Sequence, residues 1–173
     1  MMISKTILQS CAMLGKSAAD ILTKTNEALC SNNQVDMFVT VWLGILEIST
    51  GKLTAANAGH EYPVIKRADG SFEIFKDKHG FVIGGMDGTV YTEYDIRLDT
   101  GDKLFLYTDG VPEATNSEGK MFGIDKMLEA LNDSPDSSPE QLLSNVRKSV
   151  ADFAGNAEQF DDLTMLCIEY KKK

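Results

Sequence analysis

Hydrophobic residues recur along the chain with two periods, one typical of helices and the other typical of strands. The helical spacing occurs near both ends of the chain. Ser17 can cap the second helical segment, and Ser138 followed by Pro139 is a typical start for the last one. Four helices are therefore predicted: one carrying Ile3, Ile7, Cys11 and Leu14 on one face, one after Ser17, one over residues 124–131 and one after Ser138.

Between these helical segments, alternating and continuous apolar runs predict a block of strands. The first run is apolar on both faces, so we expect it to be covered on both sides. Asp69-Gly70 lies between two short runs and is a strong hairpin signal. Residues 76–89 show no period and are predicted to be irregular. The predicted strands cover residues 37–48, 53–58, 62–66, 72–74, 91–98, 103–107 and 163–170.

Helices on either side of a block of strands indicate an α+β layered sandwich, not a parallel βαβ sheet. The strands follow one another through short turns, which suits antiparallel pairing. A length of 173 residues with 43% hydrophobic residues is ordinary for one globular domain, predicted here over residues 1–173.

Charge and composition exclude several classes of protein. The net charge is −9 and the lysines and arginines are scattered, so the chain lacks the basic face that binds nucleic acid. No apolar run approaches the ~20 residues that span a bilayer, so no membrane segment is predicted. Three distant cysteines and two histidines show no zinc spacing. These features predict a cytoplasmic protein.

Candidate chemistry lies where two predicted strands end. Asp109 directly follows an apolar strand, and Gly110 lets the backbone turn behind it. Asp161 and Asp162 precede the last strand. Carboxylates at strand ends are well placed to hold a hard cation such as Mg²⁺ or Mn²⁺. A simple turn and a solvated loop are the commoner structures for such motifs, so the residues alone leave both readings open.

Four motifs that occur in order along the chain indicate a family. They resemble those of the PPM (type 2C) metal-dependent protein serine/threonine phosphatases, and most closely those of the bacterial SpoIIE-like branch. The resemblance runs from about Met1 to Tyr170. The motifs are Phe38-Val39-Thr40-Val41, Asn57-Ala58-Gly59-His60, the segment from Thr108-Asp109-Gly110 to Ala114, and Asp161-Asp162-Leu163-Thr164.

The resemblance implies a four-layer αββα sandwich of antiparallel sheets that holds two Mn²⁺ or Mg²⁺ ions. In that family a metal-bound water attacks the phosphorus of phosphoserine or phosphothreonine, and no phosphoenzyme forms. By position, Asp109 and Asp161 match metal ligands, and Asp162 matches a residue that orients its neighbour. The implied substrate is a phosphorylated regulatory protein of the anti-sigma antagonist (STAS) type.

The chain departs from the family pattern at its beginning. The family carries an aspartate in a Gly-Asp-Phe-like motif and another in a glycine-rich motif before the first helix, and neither occurs here. We therefore expect a domain that lacks its first strands and is truncated at its N-terminus. This chain alone should be inactive or nearly so. An unpaired sheet edge should also remain, through which a dimer could form.

Other readings stay open at this point. His60 is the better histidine for proton transfer, but a structural role in the bend after Gly59 is favoured; His79 is expected to be solvated. Residues 84–88 are glycine-rich without P-loop spacing and are predicted to form a flexible loop. The alternative functions are a non-catalytic interaction module that keeps the phosphatase fold, and a Mg²⁺-dependent hydrolase of small phosphate esters.

Overall fold

The computed structural model describes residues 2–13, 15–31, 37–157 and 161–172, with the side chains of residues 2–4 excepted. Leu14, which is predicted to lie on the apolar face of the first helix, is outside these residues. The chain forms two compact units: Met1–His60 with Asp77–Arg97, and Glu61–Lys76 with Leu98–Lys173. Each unit contains one sheet and two helices, so the predicted α+β class is confirmed. The single domain over residues 1–173 stays a prediction.

Twelve elements make up the described chain, four of them helices and eight of them strands. In chain order they are α1 (Met2–Ala12), α2 (Ala18–Cys30), β1 (Val41–Glu47), β2 (Lys52–Ala58), β3 (Val64–Lys66), β4 (Phe72–Ile74), β5 (His79–Gly80), β6 (Glu93–Arg97), β7 (Lys103–Tyr107), α3 (Gly123–Asn132), α4 (Pro139–Ala154) and β8 (Met165–Glu169).

In the first unit, β2 is the central strand. It pairs antiparallel with β1 along one edge and with β6 along the other, and its end pairs with β5 in parallel. The hydroxyl of Ser17 accepts a hydrogen bond from the N–H of Asp20, which confirms the predicted cap of α2. The small buried residues of β2 let α2 approach closely, and the core consists of Ala18, Leu22, Ala56, Ala58, Ile83 and Tyr91.

Two predictions for this unit are wrong in detail. The strand predicted over residues 37–48 is shorter, and it is not covered on both sides, since Ile45 is 43% exposed. The reason is that the core of this unit reaches β1 at Val41 and Leu43 but does not extend to Ile45, two residues further along the same face. β1 is also an edge strand, with β2 as its only strand partner among the described residues. A dimer through this edge stays a prediction. The parallel β5 falls in the stretch predicted to be irregular, because two residues are too few to show a period.

In the second unit, four antiparallel strands follow the order β4-β3-β7-β8. The predicted hairpin is confirmed, since Val64 pairs with Ile74 across the Asp69-Gly70 turn. Helix α4 begins at Pro139, with the Ser138 hydroxyl accepting from the N–H of Gln141. Both helices bury one face against the sheet. The core of this unit includes Val64, Phe72, Phe105, Tyr107, Val111, Met127, Leu131, Leu142, Val146, Val150 and Cys167.

Two buried lysines attach the loop between α3 and α4 to the sheet. The Lys103 ammonium donates to the carbonyls of Pro135 and Ser137, both at 2.9 Å. Lys66 forms an ion pair with Asp136 at 3.0 Å and also donates to two backbone carbonyls. A buried ammonium needs such partners, because an unpaired one is costly. These bonds fix the start of α4 relative to β7.

None of the helices built from the described residues combines the length and the apolar character that a bilayer crossing requires.

Candidate functional site

The two acidic motifs adjoin strands that are direct neighbours in the second unit: one motif follows β7 and the other precedes β8. β7 and β8 pair antiparallel from Lys103 opposite Glu169 to Tyr107 opposite Met165. The ladder continues one residue further, where the N–H of Thr108 donates to the carbonyl of Thr164 at 3.0 Å. The strand ends that carry the two motifs therefore meet, although more than 50 residues separate them along the chain.

The side chain of Thr108 fixes this junction a second time. Its hydroxyl donates to the carbonyl of Asp162 at 3.2 Å and accepts from the N–H of Thr164 at 3.3 Å. A hydroxyl can serve as donor and acceptor at once. One threonine thus holds the backbone of the second motif against the end of β7.

Asp109 occupies a tight turn at the end of β7 and is exposed. Its carboxylate accepts from the N–H of Gly110 at 2.9 Å, and its carbonyl accepts from the N–H of Glu113 at 2.9 Å. One carboxylate oxygen is engaged in this local bond. A carboxylate has about four lone-pair sites, so capacity for further ligands remains.

Asp161 is likewise exposed, and its orientation is set by the next residue. Its Oδ1 accepts from the backbone N–H of Asp162 at 2.7 Å. The contacts that the structure gives for Asp162 are all made by its backbone N–H and carbonyl. The N–H of Asp162 thus orients the carboxylate of Asp161, and metal binding by the carboxylate of Asp162 stays a prediction.

Gly110 marks the point where the two motifs are closest. A Cβ built on Gly110 would lie 2.5 Å from the carbonyl oxygen of Asp162 and 3.6 Å from the carbonyl carbon of Asp161. Neighbouring backbone atoms cannot yield as a flexible side chain would. Glycine is therefore required here by close approach and not by its φ angle, which is not positive.

We expect Gly110→Ala to lower the free energy of unfolding by about 1–3 kcal/mol, because the methyl group forces the two strand ends apart. Urea unfolding followed by circular dichroism measures the change. Gly70→Ala is the matched control, since a Cβ there meets only ordinary contacts at 3.7 Å. Equal stability of the two variants would show that the junction is not closely packed.

The residues present fit part of a site for a hard divalent cation. Asp109 and Asp161 supply exposed carboxylate oxygens at joined strand ends, and oxygen ligands are what Mg²⁺ and Mn²⁺ prefer. Within the described parts of the chain, no group of three or more Asp, Glu, His or Cys side chains lies close enough to hold a metal ion.

His60 lies in the first unit, in the bend that follows β2. Gly59 has a φ of +70°, and the side chain of Asn57 closes the bend by accepting from the N–H of His60 at 2.8 Å and donating to its carbonyl at 3.0 Å. The hydroxyl of Thr40 lies 3.4 Å from His60 Nδ1. These contacts give the bend a structural explanation, and proton transfer by His60 stays a prediction.

Sequence reasoning missed a buried polar network in the first unit. The Asp77 side chain is 0% exposed and binds His79 Nδ1 at 2.7 Å, whereas His79 itself is exposed. The carboxylate also accepts from Asn57 Nδ2 at 3.0 Å and from the hydroxyl of Tyr94, which in turn accepts from Trp42 Nε1 at 2.8 Å. One carboxylate thereby connects β1, β2, β5 and β6.

Tyr94 is held in its protonated form within this network. Burial raises the pKa of Tyr94, and the hydrogen bond to Asp77 raises that pKa further. The phenol therefore remains a donor at neutral pH. No local signal marks this set in the sequence, because its members are brought together only by the sheet.

The glycine-rich loop over residues 84–88 is anchored at its start. Asn26, buried on α2, accepts from the N–H of Gly84 at 2.8 Å and donates to the carbonyl of Met86 at 2.9 Å. Both the oxygen and the nitrogen of the buried Asn26 amide thus have hydrogen-bond partners, as buried polar groups generally do. The loop is therefore attached to α2. It does not lie between a strand and a helix, as a phosphate-binding loop of the P-loop type would.

Comparison with known proteins places the whole chain in one group. The family described as Stage II sporulation protein E (SpoIIE) matches residues 1–171. Protein IcfG of Synechocystis sp. is 30% identical over 145 residues, which is 83% of this chain and 23% of IcfG. The phosphoserine phosphatase RsbU of Bacillus subtilis is 24% identical over 96% of this chain and 49% of RsbU. The chain thus spans half or less of these relatives.

Solved structures share the fold. The SiaA-PP2C domain of Pseudomonas aeruginosa has a TM-score of 0.85 at 20% identity, covering 98% of this chain and 68% of that one. The structure of the RsbU and RsbW domains of a Mycobacterium tuberculosis protein has a TM-score of 0.77 at 20% identity. It covers 98% of this chain and 46% of that one. The Mn-presoaked phosphatase domain of SpoIIE from Bacillus subtilis has a TM-score of 0.67 at 15% identity. It covers 98% of this chain and 74% of that one.

Proposed function

The chain belongs to the SpoIIE family, and on that premise we propose that it is the phosphatase domain of a metal-dependent protein serine/threonine phosphatase. Its reaction is hydrolysis of the phosphate ester of phosphoserine or phosphothreonine. The relative RsbU bears the name phosphoserine phosphatase, which supports this substrate class over free phosphate esters.

The junction of β7 and β8 is the observation that carries the proposal. It places two acidic motifs next to each other at one end of a rigid sheet, with Gly110 packed on the backbone of Asp162. Asp109 lies in the turn after β7 and Asp161 in the segment before β8, and the hydrogen bonds of Thr108 hold that segment against the end of β7. Both residues are exposed, so solvent and solutes reach this end of the sheet.

Membership of the family implies divalent metal ions, and we propose that Asp109 and Asp161 hold Mn²⁺ or Mg²⁺, two ions in the complete site. Such ions, when bound, lower the pKa of a water nucleophile and neutralise phosphoryl oxygens. The chain's own part is to fix the two carboxylates: Asp161 is oriented by the N–H of Asp162, and Asp109 by the N–H of Gly110.

The proposed substrate is a phosphorylated regulatory protein of the anti-sigma antagonist type. The solved structure that joins an RsbU domain to an RsbW domain supports a setting in which such phosphatases act beside other regulators. A folded protein substrate also suits a site at an exposed strand junction, because a protein surface can reach it without entering a deep cleft.

Hydrolysis by the full-length gene product tests the proposal. With Mn²⁺ present we expect release of phosphate from phosphoserine and phosphothreonine peptides, and loss of that release with excess EDTA. Sugar phosphates should be hydrolysed far more slowly at equal concentration. Faster turnover of sugar phosphates would favour a general phosphate-ester hydrolase. Absence of turnover with Mn²⁺ or Mg²⁺ would favour a non-catalytic interaction module.

A further inference from the structure

A hollow of about 280 Å³ lies directly beside the strand junction, within the second unit. Asp161, one of the two candidate ligands, and Gly110, the residue next to the other, form part of its wall. Helix α4 supplies the opposite side. The hollow is therefore continuous with the place where the proposed reaction occurs.

Several of the side chains that face the hollow are small. Along the last turns of α4 it is bordered by Ala151 and Ala154, and across from them by Ala114. Val150 and Leu163 add larger apolar surface. Apolar walls with a few polar groups are typical of pockets that bind side chains or small ligands. The space is sufficient for one aliphatic or aromatic side chain.

Arg147 adds a cation to the edge of this hollow. It lies one helical turn before Ala151, so the two side chains share a face of α4. It also borders a second hollow, lined by Asp162 and Thr164. Among the described residues, no carboxylate forms an ion pair with Arg147. In a chain of net charge −9, a cation so close to the acidic motifs is available to a ligand.

We propose that this hollow is a docking subsite for the phosphorylated protein substrate. It binds an apolar side chain near the phosphorylated residue, and Arg147 binds a carboxylate of the same substrate segment. The inference rests on the proposed function, since the hollow matters to the reaction only if phosphate is released at the strand junction. An extended chain advances about 3.3–3.6 Å per residue, so a residue a few positions from the phosphoserine is the occupant.

A panel of phosphoserine peptides tests the subsite with the full-length gene product. Leu, Glu, Gln or Gly is placed in turn at each of the three positions on either side of the phosphoserine. We expect kcat/KM to be about tenfold higher with Leu than with Gly at one position. We also expect a preference of about tenfold for Glu over Gln at a second position.

Two variants with matched controls assign these preferences to the hollow. Ala151→Phe fills it and should reduce the Leu preference to within twofold, whereas Asp152→Phe adds the same ring at an exposed α4 position outside it. Arg147→Ala should remove the Glu preference, and Lys148→Ala, which also deletes a cation of α4, should keep it. Circular dichroism checks that each variant is folded.

The outcomes separate the inference from the function on which it rests. Turnover of every peptide with no preference at any position would overturn the docking subsite and leave the phosphatase intact. Preferences that persist in Ala151→Phe and Arg147→Ala would also overturn it. If the wild-type protein hydrolyses no phosphoserine peptide, the proposed function itself fails, and the subsite with it.

Discussion

Replacing Asp109 with Asn in the full-length gene product is expected to lower kcat for phosphoserine peptides by about 10³-fold or more. The substitution keeps the shape of the side chain but removes the charge that a divalent cation requires. Metal ions contribute several kcal/mol of transition-state stabilisation, and each 1.36 kcal/mol corresponds to about tenfold in rate. Steady-state kinetics at saturating Mn²⁺ measure the loss.

The two residues of the second motif should differ in this experiment. Asp161→Asn is expected to act as Asp109→Asn does, because both carboxylates are proposed ligands. Asp162→Asn should cost less than about tenfold, since the structure uses the N–H and carbonyl of Asp162, which the substitution keeps. Equal losses in all three variants would mean that the Asp162 carboxylate is itself a ligand. No loss in Asp109→Asn would contradict the proposed site.

Replacing Asp77 with Ala should lower the free energy of unfolding by about 3–5 kcal/mol, because it removes the shared acceptor of a buried network. Asn57, His79 and Tyr94 would each lose an acceptor at once. Domains are stable by only about 5–15 kcal/mol, so the variant should be near the limit of folding. Urea unfolding followed by tryptophan fluorescence is a direct readout, since Trp42 donates to Tyr94.

Asp95→Ala is the control for that substitution. Asp95 lies in the same sheet and binds Thr54 and Lys52, but it is exposed, and exposed ion pairs contribute little. Its removal should therefore change stability far less than that of Asp77. If the two variants unfold at the same urea concentration, the network around Asp77 is not an important source of stability.

Much of the fold could be predicted because its signals are local. Ser17 and Ser138 cap helices through bonds that span three residues, and Asp69-Gly70 closes a hairpin between adjacent strands. β7 coincides with its predicted bounds because it is buried along nearly its whole length. In each case the residues that specify the element lie within it or next to it.

Features that depend on distant partners could not be predicted in the same way. Asp77 appears in the sequence as one polar residue of an irregular stretch, and only the sheet brings it to Asn57 and Tyr94. The exposure of Ile45 also depends on how far the core extends along β1, which the pattern of the strand itself does not reveal.

The candidate site could be predicted in part from the sequence. In the sequence Asp109 and Asp161 each adjoin a predicted strand, and the pairing of β7 with β8 brings those strands together. Their roles as metal ligands stay predictions. What sequence could not show is that the N–H of Asp162 bonds to the carboxylate of Asp161 and its carbonyl to the hydroxyl of Thr108, because side-chain identity carries no information about main-chain bonds. Nor could it show the hollow beside Arg147, which depends on how α4 packs.

The account depends most on the carboxylates of Asp109 and Asp161 sharing one divalent cation. A crystal of the full-length gene product soaked in Mn²⁺ tests this directly through anomalous scattering. The account predicts an anomalous peak about 2.0–2.3 Å from an oxygen of each carboxylate. Mn²⁺ bound elsewhere, or the two carboxylates turned toward opposite surfaces with no peak between them, would contradict it.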